Sequence, residues 1–273
     1  MRTLSYVCGT NGESIGFEGP VYGETMPALR GRAWSYTTGL LNLTGVTRGT
    51  RELTVTVKVT DLAELDRMRL LMDADMANGT PGTLVADDEW QASAYVTKSE
   101  PQTITPLYVS TTLTVVLLDG VWRRESTTQY NPSTLASYTD LDYPYDYGHD
   151  WSPSLLADTA SNPALSPMPC RLTVYGPATA PEITIGDNVY AVDCEVPSGA
   201  YLVIDGLNRT IRLTVNNGDL VDHFPDGRRG SGLGGGEYCF QPLPAGKSDV
   251  SWVGGFGFDL TVIEERGEPP WST

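Results

Sequence analysis

Histidine is scarce in this sequence, and the residue patterns of common catalytic sites are missing. The 273 residues include two histidines, His149 and His223, and neither belongs to an HExxH or similar ligand spacing. No serine stands in a GxSxG arrangement, and a cysteine nucleophile would meet a histidine only by coincidence of folding. A histidine-based hydrolase and a zinc centre are therefore disfavoured, and we expect no catalytic, cofactor-binding or metal-binding residue.

Basic residues are outnumbered, and long apolar runs are missing. The 18 lysines and arginines face 34 acids, so the net charge is -16, which repels phosphate backbones and anionic lipid. No stretch approaches the ~20 apolar residues of a membrane span, and the first residues lack the apolar run of a signal peptide. We expect a protein that does not grip nucleic acid or membranes and that stays in a cytoplasm or leaves it by lysis.

The four cysteines, Cys8, Cys170, Cys194 and Cys239, are widely spaced and form no CxxC pair. This spacing is typical of reduced, buried thiols. A disulfide among the three cysteines of the C-terminal half is the alternative.

Residues 1–125 predict an α+β domain. The run Arg51–Thr60, RELTVTVKVT, alternates apolar and polar residues with the period of two of a strand that buries one face. A helix follows, because Asp61 and Glu64 resemble a capping box and apolar residues recur at helical spacing until Asn78-Gly79. These apolar positions are Leu62, Leu65, Met68, Leu71, Met72 and Met76. Further strands are expected at residues 82–85, 92–97 and 111–118.

Residues 126–165 predict a linker or a docking arm. Serine, threonine, asparagine, proline, tyrosine and aspartate dominate this segment, which lacks apolar periodicity. Tyr143, Tyr145, Tyr147 and Trp151 offer rigid contact area in an acidic stretch, so we expect them to dock a partner protein. The alternative is that these aromatic residues pack against their own domains.

Residues 166–273 predict an antiparallel β-sandwich, because about eight short strands alternate with turn signals such as Asn217-Gly218. The strands are expected at residues 170–175, 181–185, 189–196, 201–204, 210–215, 238–240, 250–253 and 258–263. The whole chain is therefore predicted to be mainly β, with two domains.

Three further sequence patterns could suggest a binding or catalytic site. Gly230, Gly232 and Gly235 stand in GxGxxG order, but the run neither follows a strand nor opens a helix, so a loop is expected. The acids at residues 87–89 and the spaced Asp140, Asp142, Asp146 and Asp150 fit no calcium-loop spacing and are interpreted as solvated turn acids, with an adventitious divalent ion as the weaker alternative. A glycosidase-like pair of distant carboxylates, and with it a polysaccharide-cleaving enzyme, stays open.

The features occur in a definite order along the chain. Arg30-Gly31-Arg32, Trp34, Arg48 and Arg51 lead into the regular strand, one helix and paired strands follow, and Leu117-Leu118-Asp119-Gly120-Val121-Trp122 closes the first domain. This order resembles the distal tail protein family of long-tailed bacteriophages, which commonly ends that domain with Asp-Pro-x-Trp. Here Asp119 and Trp122 match, and Gly120 replaces the proline. The C-terminal half, from CRLTVYGPATAPEITIGDNVY to GFDLTVIEERGEPPWS, is similar to the family's galectin-like sandwich.

The resemblance implies a structural role in a virion. The first domain would form a belt that closes into a homohexameric ring at the distal end of the tail, between the tail tube protein and the tail-tip hub, with receptor-binding proteins as further partners. DNA would only pass through the lumen, and the protein would be made in the cytoplasm of the host bacterium. The family gives no reason to expect a cofactor or a reaction.

The ring interface is expected at Arg48, Arg51, Val55 and Val57, with Trp122 as the anchor of its closure. A long regular strand can complete its hydrogen bonds against a neighbouring copy, and closed rotational symmetry leaves no free edge.

A carbohydrate-binding module is the alternative function, because β-sandwiches often bind sugars on aromatic-lined faces. Trp252 with Asp249, and Tyr201 with Asp205, are the nearest candidates for aromatic and carboxylate groups on one face. Burial of these aromatic rings in the core is the competing interpretation.

Overall fold

A computed structural model describes residues 3–132 and 156–270 of the chain. It divides into two compact units, residues 1–124 with 265–273, and residues 125–264. Strands dominate both units, and the described residues contain a single α-helix, so the predicted mainly-β class is confirmed. No helix in the described part of the chain is long and apolar enough to span a bilayer.

The elements up to residue 132 are β1 (Leu4–Val7), β2 (Ser14–Gly16), β3 (Val21–Tyr22), β4 (Ser35–Thr38), β5 (Leu43–Thr47), β6 (Arg51–Val59), α1 (Leu62–Asn78), β7 (Gly82–Ala86), β8 (Trp90–Ile104), β9 (Val109–Leu117) and β10 (Trp122–Tyr130). From residue 156 they are β11 (Leu156–Asn162), β12 (Cys170–Tyr175), β13 (Ala178–Thr179), β14 (Glu182–Ile185), β15 (Asn188–Ala191), β16 (Glu195–Val196), β17 (Tyr201–Asp205), β18 (Thr210–Thr214), β19 (Leu220–Asp222), β20 (Gly246–Trp252) and β21 (Phe258–Arg266). Short 3-10 turns lie at Pro27–Arg30 and Phe224–Asp226.

The first unit is an antiparallel sheet with the strand order β2-β1-β7-β8-β9-β6-β3. Helix α1 packs on this sheet, mainly against β8. The core between them contains Tyr6, Met68, Trp90, Leu113 and Trp122. As predicted, β6 buries alternate residues, with Val55, Val57 and Val59 inside.

Helix α1 begins and ends where its capping residues predict. The carboxylate of Asp61 accepts a 2.9 Å hydrogen bond from the backbone N–H of Ala63, and Gly79 ends the helix in the left-handed conformation, with φ of 65°. Leu65, Met68, Leu71 and Met72 form the buried face of the helix, whereas the apolar residues at its two ends, Leu62 and Met76, are exposed. Asp75 occupies the end of that face instead, and it is fully buried.

The segment predicted as a linker, residues 126–165, contributes strands at both ends. β10 continues to Tyr130, and β11 pairs with β20 over all seven of its residues. The sequence concealed β11 because its residues, LADTASN, show no apolar alternation.

The second unit consists of two antiparallel sheets with a common core. Their strand orders are β19-β18-β17-β12-β21 and β11-β20-β14-β15, and β13 pairs with β16. Apolar residues of both sheets, such as Leu172, Leu202, Ile183 and Val250, belong to one buried cluster, which is the arrangement of a β-sandwich.

One predicted strand of the second unit was wrong. Residues 238–240 form a turn, in which the amide of Gln241 donates to the carbonyl of Tyr238. Asn188 brackets this turn, because its side chain accepts from the amide of Tyr238 and donates to its carbonyl, each at 3.0 Å. Those bonds take the place of strand pairing.

The four cysteines are free thiols. Cys8, Cys170 and Cys239 are buried and Cys194 is half-buried. Burial raises the pKa of the Cys170 thiol to about 12 and that of Cys194 to about 11. At neutral pH the folded protein therefore holds these two residues as protonated thiols rather than as nucleophilic thiolates.

Candidate functional site

One edge of strand β6 lacks a strand partner over most of its length, as far as the described residues show. All nine of its residues pair with β9, whereas β3 pairs only with Lys58 and Val59 on the other side. Among the described residues, nothing pairs with the outer edge from residue 51 to residue 57. The side chains of Val55 and Val57, predicted at an oligomer interface, point into the core. The 3-10 turn Pro27–Arg30 packs against this strand, and the polar face of the strand, with Glu52, Thr54 and Thr56, is exposed to a partner.

The hairpin that precedes β6 is wholly exposed. Strands β4 and β5 pair only with each other, around a bulge near Ser35, and every residue of both strands is exposed. Leu40 and Leu41 at its tip are 97% and 96% exposed. A two-stranded hairpin is marginally stable by itself, and adjacent exposed leucines are unfavourable in water. The hairpin was not predicted from the sequence, although the turn-forming residues Gly39 and Asn42 flank its tip.

Arg48 lines a cavity in the first unit, and Arg51 lies outside that lining. The Arg48 guanidinium lies 4.4 Å from the centroid of the Trp34 ring, and Arg51 donates a 2.8 Å hydrogen bond to the carbonyl of Gly31. The cavity has a volume of about 380 Å³ and is lined by Arg32, Trp34, Arg48 and residues 265–270. The Nε–H of Arg48 is buried there, and no described residue accepts a hydrogen bond from it. Such a group favours a ligand that brings an acceptor, a carboxylate above all.

Trp122 is fully buried and packs in the core of the first unit, so its side chain stabilises that unit and has no exposed surface for another copy. The preceding turn differs from the family pattern in structure as well as in sequence. Gly120 has a φ of 62°, which proline cannot adopt because its ring holds φ near -65°. Asp119 still organises the turn, since its carboxylate accepts a hydrogen bond from the amide of Val121.

The predicted docking residues Tyr143, Tyr145, Tyr147 and Trp151 lie outside the described residues, as do His149 and the spaced aspartates from Asp140 to Asp150. Their role stays a prediction.

The remaining polar candidates have structural partners. The carboxylate of Asp87 accepts from the amide of Thr3, and Glu89 pairs with Arg124 at 3.1 Å, so these acids belong to a turn as predicted. His223 Nδ1 lies 2.8 Å from the carboxylate of Asp226. In the described ranges, no three histidine, cysteine or acidic side chains converge in the manner of a metal site.

The glycine-rich run is a loop, as predicted. Residues 230–236 contain neither helix nor strand. The amide of Gly234 donates to the side chain of Gln241, and the carbonyl of Gly236 accepts from the amide of Val189. These bonds hold the loop against its own unit.

In each residue pair considered for sugar binding, one of the two side chains is buried. Trp252 is buried, and its indole N–H donates to the carbonyl of Phe256. Asp205 is buried in a turn, where it accepts from the amides of Leu207 and Asn208. Burial alone would raise the pKa of Asp205, but the bonds from Asn208 and the nearby Arg171 outweigh it and lower the pKa.

No protein-family model and no curated protein sequence matches this chain. Among solved structures it is similar to the Dit (gp19.1) protein of phage SPP1, described as a paradigm of the hub adsorption apparatus in phages that infect Gram-positive bacteria. That match has a TM-score of 0.57 at 12% identity and covers 96% of this chain and 99% of Dit.

The chain is also similar to a chain of the phage P2 baseplate in its activated conformation with Ca. The TM-score is 0.58 at 12% identity, with 98% of this chain and 100% of the other covered. Both likenesses extend over almost the whole length of each chain. The resemblance to the distal tail protein family, which the order of sequence features predicts, is thus confirmed at the level of the fold.

Proposed function

We propose that this protein is a structural component of a bacteriophage tail tip or baseplate, and that its first unit assembles into a homohexameric ring at the distal end of the tail. The ring would join the tail tube protein to the tail-tip hub and through it to receptor-binding proteins. DNA would cross its lumen in transit. The protein would act without catalysis, after synthesis in the cytoplasm of the host.

The observation that supports this proposal is the likeness to a phage Dit protein and to a chain of a phage baseplate, because each match covers almost the whole of both chains. A fold shared at 12% identity does not establish a function, so features of this chain itself must support the proposal. Two features of the first unit supply that support, and they lie next to each other in the sequence.

The first feature is the exposed hairpin β4–β5, which leads into β6 after three residues. The second is the edge of β6 that no described strand pairs with from residue 51 to residue 57. We expect the hairpin of one copy to cover an apolar surface of the next copy, while the strand edge completes its hydrogen bonds there. A head-to-tail contact of this kind forms a ring when its rotation closes.

The cavity at Arg48 fits the same contact. Its buried Nε–H needs an acceptor, and a chain with 34 acids offers carboxylates on every copy. An acidic side chain of the neighbouring copy would satisfy this donor and would add charge complementarity to the apolar hairpin contact. The net charge of -16 also keeps such a ring from retaining DNA where its acids face the lumen.

The test is the solution mass of the full chain, measured by light scattering over a range of concentrations, with negative-stain images of the same samples. Six copies of the 29.6 kDa chain give about 180 kDa and an open-centred particle. A wild-type protein that stays monomeric up to high micromolar concentration would contradict self-assembly.

The hairpin is tested with the double variant Leu40→Ser/Leu41→Ser, which should lower the mass to that of the monomer without unfolding the chain. Leu165→Ser/Leu233→Ser is the matched control, because both leucines are exposed in the second unit. Equal loss of the ring in both variants would remove the hairpin from the interface.

A further inference from the structure

The second unit has a shallow cavity lined by both apolar and polar side chains. This cavity has a volume of about 220 Å³ and is lined by Gln129, Asn131, Tyr175, Asp259 and the glycines at 255 and 257 among others. We propose that it binds one ring of a neutral saccharide. This inference goes beyond assembly and does not depend on ring formation.

An aromatic platform lies beside the cavity. Tyr175 and Tyr201 are 42% and 39% exposed, and they stand directly opposite each other on β12 and β17. The Tyr175 hydroxyl donates a 2.7 Å hydrogen bond to Asp259, which restricts rotation of this half-exposed ring. A fixed, half-exposed ring suits the C–H face of a sugar, since little side-chain entropy is lost on binding.

Hydroxyl-binding groups surround this platform. Oδ2 of Asp259 accepts from Tyr175, and Oδ1 accepts no hydrogen bond from any described residue. Gln129 and Asn131 are exposed, and no described residue hydrogen-bonds their side-chain amides. A carboxylate with a free oxygen and two amides can together accept from and donate to neighbouring sugar hydroxyls.

The floor of the cavity is rigid. The Tyr130 ring stacks on Phe258 with centroids 4.6 Å apart, and Trp252 packs edge-on against both rings. Gly257 leaves the rim open and permits close packing, because a Cβ there would lie 2.7 Å from Cδ of Pro132. A preformed site loses less free energy on ordering than a flexible one.

The charge and size of the cavity define the ligand class. Asp259 and the net charge of -16 disfavour phosphorylated or carboxylated glycans. The small volume of about 220 Å³ suits one pyranose ring rather than a long chain. The exposed platform predicts weak binding by one ring, strengthened when many copies act together.

The experiment is saturation-transfer difference NMR on the full chain, with the methyl glycosides of glucose, galactose, N-acetylglucosamine and rhamnose as probes and sialic acid as the charged comparison. We expect transfer to at least one neutral glycoside and none to sialic acid. Absence of transfer to all four neutral probes would overturn the proposal.

Variants locate the site. Tyr175→Ala and Asp259→Asn should each weaken binding of the positive probe about tenfold or more, whereas Tyr175→Phe should keep most of the stacking and lose less. Tyr22→Ala and Asp249→Asn are the matched controls, because both residues are exposed elsewhere. Binding that survives both Tyr175→Ala and Asp259→Asn would assign the sugar to another surface and overturn this site.

Discussion

The hydroxyl of Tyr6 on β1 donates a 2.7 Å hydrogen bond to the carboxylate of Asp75 on α1. The same carboxylate accepts from the amide of Gly9, from the amide and hydroxyl of Thr10 and from the thiol of Cys8. Burial alone would raise the pKa of Asp75, but these bonds outweigh it and hold the pKa below its ordinary value. Asp75 therefore binds the start of the chain to the helix as a buried, ionised group.

Replacement of Asp75 by asparagine should destabilise the first unit. The asparagine amide cannot accept from the donors that face the second carboxylate oxygen, and a buried donor without a partner costs about 1–3 kcal/mol. We expect a loss of about 3 kcal/mol in the free energy of unfolding, measured by urea denaturation with tryptophan fluorescence. Asp73→Asn, an exposed change on the same helix, is the control and should be nearly neutral.

The same carboxylate predicts a pH dependence. A folded-state pKa below the unfolded value of about 3.9 stabilises the protein above that value, and the stabilisation is lost as the pH falls through the folded-state pKa. The difference in unfolding free energy between wild type and Asp75→Asn should therefore be largest near pH 7 and shrink towards pH 2. A difference that stays constant over this range would show that Asp75 does not titrate as a paired group.

The spacing of residues along the chain predicted those elements that are determined by residues close in sequence. The alternation of β6 and the caps of α1 were found from spacing alone. β11 was missed because its stability comes from pairing with β20, about 90 residues later in the chain, and not from its own residues. Long-range pairing leaves little trace in a polar strand.

The candidate sites were harder to predict, because a side chain can bind a partner or a ligand only if the fold leaves it exposed. Asp75 lies on the same helix face as Met68 and Leu71, and this spacing is typical of a buried position. A charged side chain, however, is usually found at the surface. The side chains of Val55 and Val57, which were assigned to an interface, are buried, so only their backbone is left for such a contact. Tyr175 and Asp259 are 84 residues apart in sequence, and only the pairing of β12 with β21 brings them together.

Gly9 is expected to be essential for the loop that contacts Asp75. A Cβ at this position would overlap the carbonyl oxygen of Pro81, which is backbone and cannot move aside cheaply. Gly9→Ala should lower the melting temperature by several degrees, whereas Gly19→Ala, where a Cβ meets open space, should leave it within about a degree. Equal melting temperatures for the two variants would mean that the loop relaxes around the added methyl group.

Tyr130 tests whether the segment after residue 125 belongs to the second unit. Its ring stacks on Phe258 and lies 5.7 Å from the centroid of Trp252, inside the core. Tyr130→Ala should cost about 3–5 kcal/mol, because it leaves a cavity among aromatic rings, while Tyr130→Phe should cost about 1 kcal/mol or less. Hydrogen–deuterium exchange should then show faster exchange in β12, β20 and β21 of the alanine variant, with α1 unchanged. If both variants exchange as the wild type does, Tyr130 adds nothing to the core, and residues 126–132 behave as the linker that their composition predicts.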